Sequence, residues 1–256
     1  MGILNITPDS FYDGGKYDDH TAILHQVEKM LYEGATFIDV GAYSSRPRAI
    51  DITEEEELSR ILPVIDLLVQ HFDDILLSTD TFRSTVAKRS VEAGVCMVND
   101  ISGGLLDEHM FATIAELQVP YILMHMAGTP QSMQKNPVYK DVVHELIYFF
   151  SNKVAELRAL KVNDIILDVG FGFGKSIEHN YELLKNLSFF KPLDLPLLVG
   201  LSRKSMLYKL LDTKPGHALN ATTSAHTIAL LNGANILRVH DVKEAIEAIK
   251  IVEATR

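Results

Sequence analysis

Residues 37–40, Phe-Ile-Asp-Val, form a short and almost continuous apolar run, which is typical of a strand covered on both faces in a parallel sheet. A stripe of apolar residues with helical spacing, at positions 23–31, precedes this run and stops at Gly34, where a helix commonly ends. Gly94 and Gly233 stand in the same place between later helical patterns and apolar runs. The pattern predicts helices that alternate with buried parallel strands.

This alternation extends over all 256 residues of the chain, with eight apolar runs. Eight strands that alternate with helices make a (β/α)₈ barrel, so we expect an α/β fold, a TIM barrel, with residues 1–256 as a single domain. A doubly wound open sheet would show the same alternation, because closure of a sheet leaves no mark in the sequence. The eight runs are residues 2–6, 35–40, 75–79, 95–99, 120–125, 164–169, 196–201 and 235–240.

Composition restricts the class of partner. The formal net charge is −10, which argues against nucleic acid and against anionic membrane surfaces, because both select basic faces. The single cysteine, Cys96, permits no internal disulfide and fits a reducing cytoplasm. No apolar run reaches the length of a membrane span, and the N-terminal residues do not resemble a signal peptide. We therefore expect a cytoplasmic protein that binds small molecules.

Polar residues stand at or near the carboxyl ends of all eight runs. In a barrel these ends meet at one face, which carries the active site. A single Asp or Asn after a strand is more often a turn former or a helix cap, but polar residues in register on eight strands predict a site. These residues are Asn5, Asp39, Asp80, Asn99, His125, Asp168, Ser202, Arg203, Lys204, Arg238 and His240.

Basic residues collect just beyond the same strands, although the chain as a whole is acidic. The loops after the seventh and eighth strands are the usual phosphate site of this fold, and arginine binds phosphate oxygens through charge-assisted hydrogen bonds. We therefore predict a ligand that bears phosphate. For Arg48 and Lys175 a position in solvent explains the charge equally well. The basic residues are Arg46, Arg48, Lys175, Arg203, Lys204 and Arg238.

Two motifs that suggest ligand binding fit a local structural role better. The acidic run 54–57 follows Thr53 and fits the capped N-terminus of a helix better than a metal site. The glycine-rich segment 170–176 lacks the glycines of both nucleotide-binding patterns, since Val169 and Lys175 occupy the required positions. We interpret it as a flexible loop whose phenylalanines can stack on a flat ligand. Covalent catalysis is not indicated, because the sequence has no nucleophile elbow.

Longer strings around these residues resemble dihydropteroate synthases. The resemblance implies a transferase that joins p-aminobenzoate to 6-hydroxymethyl-7,8-dihydropterin diphosphate, giving 7,8-dihydropteroate and diphosphate in folate biosynthesis. It also implies a homodimer and a target of sulfonamides, with Mg²⁺ as the cofactor. The strings run in order from the first strand to the last and are residues 1–11, 44–47, 78–81, 98–101, 167–175, 200–206 and 238–242.

The resemblance assigns residues to each substrate. Those implied to bind the pterin are Asp80, Asn99, Asp168 and Lys204. Those implied to bind the diphosphate are Ser45, Arg46, Arg238 and His240, and Mg²⁺ is held through Asn5. Those implied to bind p-aminobenzoate are Pro47, Phe173, Lys204 and Ser205. Catalysis is assigned to Asp80, Lys204, Arg238 and His240.

Four positions depart from the family's pattern. Val169 replaces a common proline, Ser45 a threonine, Tyr43 an acidic residue and Arg48 a glycine. Arg48 places a charge and a side chain in a loop where glycine gives backbone freedom, which puts the closed conformation of that loop in doubt.

Two other functions use the same pterin pocket. A pterin-binding methyltransferase needs no diphosphate site, so Arg46, Lys204, Arg238 and His240 argue against it. A pterin-binding pseudoenzyme with an altered loop at Arg48 would bind pterin tightly and release no diphosphate.

Overall fold

A computed structural model describes residues 1–6, 16–44, 51–129, 133 and 137–256, with the side chains of residues 16–19 also outside the description. Its eight strands form one sheet in the order β1 to β8, and every neighbouring pair is parallel. The strands are β1 (Gly2–Asn5), β2 (Ile38–Gly41), β3 (Leu77–Asp80), β4 (Met97–Asp100), β5 (Tyr121–Met124), β6 (Ile165–Asp168), β7 (Leu197–Val199) and β8 (Ile236–Leu237). All eight predicted runs are confirmed as strands, each shorter than its apolar run.

Helices follow the strands, as the alternation predicted. The α-helices of the described residues are α1 (Lys16–Tyr32), α2 (Glu54–His71), α3 (Ser84–Glu92), α4 (Met110–Leu117), α5 (Val142–Ala159), α6 (Ile177–Lys185), α7 (Ser205–Leu210), α8 (Leu219–Leu231) and α9 (Val242–Glu253). Two 3₁₀ segments, Leu187–Leu193 and Pro215–His217, connect the last of these elements. Within the described residues, no helix is long and apolar enough to cross a membrane.

The sheet closes between its first and last strands. Gly2 and Val239 form a parallel bridge, the N–H of Ile3 donates to Val239 O at 2.9 Å, and the N–H of Val239 donates to Met1 O at 3.0 Å. The fold is therefore a closed (β/α)₈ barrel, and the open-sheet alternative is excluded.

The barrel interior is apolar at one end and polar at the other. Met97, Ile122, Ile166 and Leu198 form a buried cluster separate from the larger core between the sheet and the helices. Side chains two residues apart along a strand share a face, so Ile166 and Asp168 both point inward. This apolar cluster thus fills the barrel below the carboxyl ends of the strands, and the polar side chains lie at those ends.

Local signals in the sequence also agree with the structure. Thr53 caps α2 by accepting the N–H of Glu56 at 3.2 Å, while the Glu56 carboxylate pairs with Arg60. Gly34 and Gly94 have φ of +102° and +113°, a region that side chains rarely adopt. These residues end helices and return the chain to the sheet.

Candidate functional site

A cluster of side chains from β2, β3, β4 and β8 lies at the carboxyl end of the barrel. Arg238 donates from Nε to Asp39 Oδ2 and from Nη2 to Asp80 Oδ2, both at 2.6 Å. The Asn99 amide donates to the same oxygen of Asp39 at 3.0 Å. We call Asp39, Asp80, Asn99 and Arg238 the Arg238 cluster. One guanidinium thus bridges two carboxylates inside the barrel.

Burial controls the charges in the Arg238 cluster. Desolvation raises the pKa of Asp80 to about 7, and Arg238 opposes this shift while Asp39 adds to it. Burial also disfavours the charged form of Arg238, but Asp39 and Asp80 outweigh it and hold its pKa above the usual value. The arginine stays charged, and Asp80 is balanced between its two protonation states near neutral pH.

Gly41 makes room for Asp80. A Cβ at position 41 would lie 3.3 Å from Cβ of Asp80 and 3.5 Å from its Oδ2. Asn5 stands directly opposite Gly41 in the register of β1 and β2. Asn5, the last residue of β1, is therefore the neighbour of Gly41, the β2 residue against which Asp80 packs.

Asp168 ends β6 as a buried carboxylate. Its Oδ1 accepts the backbone N–H of Gly170 at 2.8 Å. Burial raises its pKa, and the Gly170 N–H, Lys204 and Arg238 oppose this shift. Among the described residues Oδ1 is the oxygen with a partner, so Oδ2 is available to a ligand.

Lys204 approaches the same carboxylate from the loop after β7. Its Nζ donates to Phe171 O and lies 4.4 Å from the centroid of the Phe173 ring. Burial lowers the pKa of Lys204 to about 8, while Asp168 opposes the shift. Ser205 begins α7 directly after Lys204. Phe173 from the loop after β6, Lys204 from the loop after β7 and Ser205 at the start of α7 are the described residues assigned to p-aminobenzoate.

Lys175 is not a surface cation. Only 3% of the residue is exposed, and Nζ donates to the carbonyl oxygens of His125, Gly170 and Phe173. The sequence left two interpretations of this charge, a role in ligand binding and a position in solvent. The burial of Lys175 excludes the position in solvent. Its ammonium is directed at the protein backbone rather than at the mouth of the barrel.

The end of β8 presents His240. This histidine is exposed, and both its backbone N–H and its Nδ1 lie 3.2 Å from Ser202 Oγ. Arg203, in contrast, forms a two-bond pair with Asp241 and donates to the carbonyl of Gly216. Arg203 therefore supports the loop and does not contribute a free cation to the mouth.

The structure brings most of the predicted residues to one face. Asn5, Asp80, Asn99, Asp168, Phe173, Lys204, Ser205, Arg238 and His240 all lie at the carboxyl ends of the strands or in the loops that follow them. Ser45, Arg46, Pro47 and Arg48 lie outside the described residues. No group of three or more His, Cys, Asp or Glu side chains suited to a metal occurs in the described part of the chain.

Asp39 was missed as a member of the site. It was noted among the strand-end residues but given no role, yet it binds both Arg238 and Asn99. The signal was a carboxylate inside an apolar run. The structure also describes two of the residues that depart from the family's pattern. Val169 is fully buried, and Tyr43 packs edge-on against Phe82 at 5.0 Å between ring centroids.

Comparisons with known proteins agree with this arrangement. The family model "Pterin binding enzyme" matches residues 1–240. The dihydropteroate synthase of Escherichia coli strain K12 is 43% identical over 257 residues, which cover 100% of this chain and 90% of that protein. A crystal structure of Yersinia pestis dihydropteroate synthase with a sulfonamide drug complex is 44% identical, with a TM-score of 0.93, and the match covers 100% of this chain and 93% of that one. Xanthomonas albilineans dihydropteroate synthase in complex with 7,8-dihydropteroate is 35% identical, with a TM-score of 0.88 and coverage of 99% and 92%.

Proposed function

Since this chain belongs to the pterin-binding enzyme family as a dihydropteroate synthase, we propose that the β6 and β7 ends bind the pterin and the β8 end binds the diphosphate. The enzyme is a transferase that condenses p-aminobenzoate with 6-hydroxymethyl-7,8-dihydropterin diphosphate. Its products are 7,8-dihydropteroate and diphosphate. The division of roles follows from which charges the protein already satisfies and which it leaves for a ligand.

The pterin is held by Asp168, Asn99 and Lys204. The aminopyrimidinone edge of a pterin presents adjacent N–H donors, which a carboxylate accepts in pairs. The Gly170 N–H fixes Oδ1 of Asp168, and we assign Oδ2 to the pterin. Asn99 has its amide nitrogen engaged by Asp39, so its amide oxygen is oriented by that contact. These residues orient the pterin, with its reacting carbon toward the Arg238 cluster.

The diphosphate is bound by Arg238 and His240, and the resemblance assigns Ser45 and Arg46, which lie outside the described residues, as further partners. Arg238 uses Nε and Nη2 within the protein, and we assign Nη1 to the substrate. His240 is exposed at the mouth, and Ser202 orients its ring. Positive groups here oppose the charge that builds on the leaving diphosphate, so they favour bond cleavage as well as binding.

The reaction exchanges one bond at the pterin methylene carbon. The C–O bond to diphosphate breaks with both electrons going to oxygen, and positive charge develops on the pterin, next to the ionised carboxylate of Asp80. The amine nitrogen of p-aminobenzoate then forms the C–N bond and loses one proton to water or to the released diphosphate. Arylamines are weak bases, so the nitrogen is already neutral, and no strong general base is required.

p-Aminobenzoate binds at Phe173 and near Lys204, and Pro47, which lies outside the described residues, is assigned to the same substrate by the resemblance. Its carboxylate lies at Ser205, where the first backbone N–H groups of α7 and the nearby ammonium favour an anion. The Lys204 ammonium lies over the face of the Phe173 ring, 4.4 Å from its centroid, and this ring supplies an apolar wall. The Yersinia pestis relative binds a sulfonamide drug, and we extend that binding to this chain.

Mg²⁺ fits the donor set at the end of β1. Asn5 would hold the ion through its amide oxygen, a hard ligand of the kind Mg²⁺ accepts. When bound, the ion neutralises charge on the diphosphate and assists its departure. Asn5 stands on the strand next to Gly41, against which Asp80 packs, so it lies near the assigned diphosphate position.

We further propose a homodimer in the cytoplasm. Leu210 and Leu211, at the end of α7, and Leu231 on α8 are each more than half exposed, and a second copy would cover such side chains. The absence of a cysteine pair fits a reducing compartment. Sedimentation velocity tests the assembly: a species of twice the chain mass of 28.6 kDa is expected, and a monomer at micromolar concentration contradicts it.

The observation that carries this assignment is the meeting of Asp168 and Lys204 with Arg238 and Asp80 at one face. The test is release of diphosphate from the pterin diphosphate in the presence of Mg²⁺, measured with and without p-aminobenzoate. Release that requires p-aminobenzoate is expected. Tight binding of pterin with no release would favour the pseudoenzyme and reject the assignment.

A further inference from the structure

Lys175 is a buried ammonium that the reaction does not use. It follows three glycines in the loop between β6 and α6, and it meets three carbonyl oxygens at 3.0–3.2 Å. His125 Nδ1 also lies 3.0 Å from Nζ. An ammonium has three N–H donors and no acceptor, so His125 Nδ1 can take part only as an acceptor, and the four acceptors share three donors. All donors of the side chain are therefore spent on fixing the protein.

We propose that Lys175 is a positioning residue that fixes the β6 loop (Gly170–Lys175) so that Phe171 and Phe173 hold Lys204 in its ligand-binding place. This inference rests on the proposed function, because it assigns Lys175 an effect on the p-aminobenzoate site. Lys175 itself contacts neither substrate in this arrangement.

The backbone of the β6 loop lies directly against the chain that follows β5. Gly170 and Gly174 have φ of +68° and +64°, and a Cβ at these positions would lie 2.1 Å from His125 O and 2.6 Å from Ala127 O. This close approach brings the carbonyls of His125, Gly170 and Phe173 together around one point. Buried carbonyls without donors are costly, so the loop needs a donor at that point to keep this shape.

The same loop controls Lys204 through its intervening residues. Phe171 is buried and its carbonyl accepts the Lys204 ammonium, while the Phe173 ring faces the same ammonium at 4.4 Å. Lys175 binds the carbonyls of Gly170 and Phe173, one on each side of Phe171. A shift of the loop would therefore move both contacts of Lys204 at once.

Burial lowers the pKa of Lys175 to about 7, and the negative charge of Asp168 opposes this shift. Burial lowers the pKa of His125 to about 2, so this ring is neutral and its Nδ1 can accept. Tyr139 adds a second, weaker anchor by donating its hydroxyl to Gly174 O at 2.8 Å. The loop thus has a strong anchor at Lys175 and a single neutral hydrogen bond from Tyr139.

The test compares Lys175→Met with the matched control Lys185→Met, which removes an exposed lysine at the end of α6. For folded Lys175→Met we expect the KM for p-aminobenzoate to rise about tenfold or more, the scale of effect that follows a small misplacement of binding groups. The dissociation constant of hydroxymethyl pterin, held mainly by Asp168, should change less than about threefold. Lys185→Met should leave both constants unchanged.

A double-mutant cycle separates positioning from simple structural support. If Lys175 acts through the ring of Phe173, the effects of Lys175→Met and Phe173→Ala on the p-aminobenzoate KM are less than multiplicative when combined. Multiplicative effects would overturn the proposal, as would an unchanged KM in a protein that has only lost thermal stability.

Tyr139→Phe keeps the proposal testable if Lys175→Met does not fold. Loss of one neutral hydrogen bond to the same loop should raise the same KM about two- to fivefold, again with less than multiplicative coupling to Phe173→Ala. No change in this KM would overturn the role of the loop. Diphosphate release by the unmodified protein is measured first, so failure of the proposed function is recognised separately from failure of this inference.

Discussion

The Arg238 cluster and the β6 loop satisfy their buried charges in opposite ways. In the Arg238 cluster, side chains from distant strands neutralise one another, as Arg238 does with Asp39 and Asp80. In the β6 loop, backbone groups do the same work: carbonyls accept from Lys175, and the Gly170 N–H donates to Asp168. Side-chain pairs can exchange partners when a charged ligand arrives, whereas backbone contacts hold one geometry. The first region therefore suits the group that leaves, and the second suits the group that must stay oriented.

Removal of divalent metal should separate the two regions most strongly. With a chelator present we expect diphosphate release to stop, because the leaving group loses its counter-charge. Binding of hydroxymethyl pterin, which uses the β6 side, should persist, and the melting temperature should be unchanged. The chelator is shown to have removed the metal by measuring the metal that it carries away from the protein. Unchanged activity of this metal-free protein would contradict the role assigned to Asn5 and its ion.

Asp80→Asn should slow turnover about a hundredfold or more, because it removes negative charge from beside the developing cation. The pKa of Asp80 is about 7, so its carboxylate is ionised above that pH and protonated below it. For the unmodified protein, kcat/KM for the pterin diphosphate should therefore fall as pH drops through about 7. The same fall in Asp80→Asn would show that another group causes it.

Arg238→Ala should destabilise the fold by about 3 kcal/mol, the lower end of the cost of breaking a buried ion pair, since 20% of its side chain is exposed. Two carboxylates would be left without their cation. Denaturant unfolding measures the loss, and Arg89→Ala, which removes a half-exposed pair with Glu92, should cost less than about 1 kcal/mol. Equal losses in the two variants would show that the Arg238 cluster is no more dependent on its charges than the surface.

Ser202→Ala should have the smallest effect. It removes one neutral hydrogen-bond partner of His240, worth about 1 kcal/mol, which corresponds to about a fivefold rise in the KM for the pterin diphosphate. Binding of hydroxymethyl pterin should not change. Ser224→Ala, on the exposed side of α8, is the control. An effect on both ligands would place His240 at the pterin instead of at the diphosphate.

The strands could be predicted because buried parallel strands leave continuous apolar runs, and their polar ends followed from the geometry of the barrel. The partners of those polar ends could not. Arg238 meets Asp39 and Asp80 across 199 and 158 residues of sequence, and such pairs depend on closure of the sheet. Closure itself came from the structure, through the bridge between Gly2 and Val239.

The sequence grouped Lys175 and Arg203 with the cations just beyond the strands, but the structure directs both side chains to other groups of the protein. Lys175 and Arg203 both follow strands, as mouth cations would. Three left-handed glycines turn the loop so that Lys175 enters the protein, and a φ of +54° at Arg203 goes with a side chain that pairs with Asp241. Charge and position in the sequence indicate that a cation lies near the site, but the direction of its side chain depends on the backbone of the loop.

The division between the two regions is tested most directly by one set of dissociation constants. These are measured by calorimetry for hydroxymethyl pterin and for its diphosphate, with the unmodified protein, Arg238→Ala and Asp168→Asn. We predict that Arg238→Ala lowers the affinity for the pterin diphosphate but not for hydroxymethyl pterin. Asp168→Asn should lower the affinity for both ligands by the same factor. Equal losses of both ligands in Arg238→Ala, or a loss confined to the diphosphate in Asp168→Asn, would contradict the account.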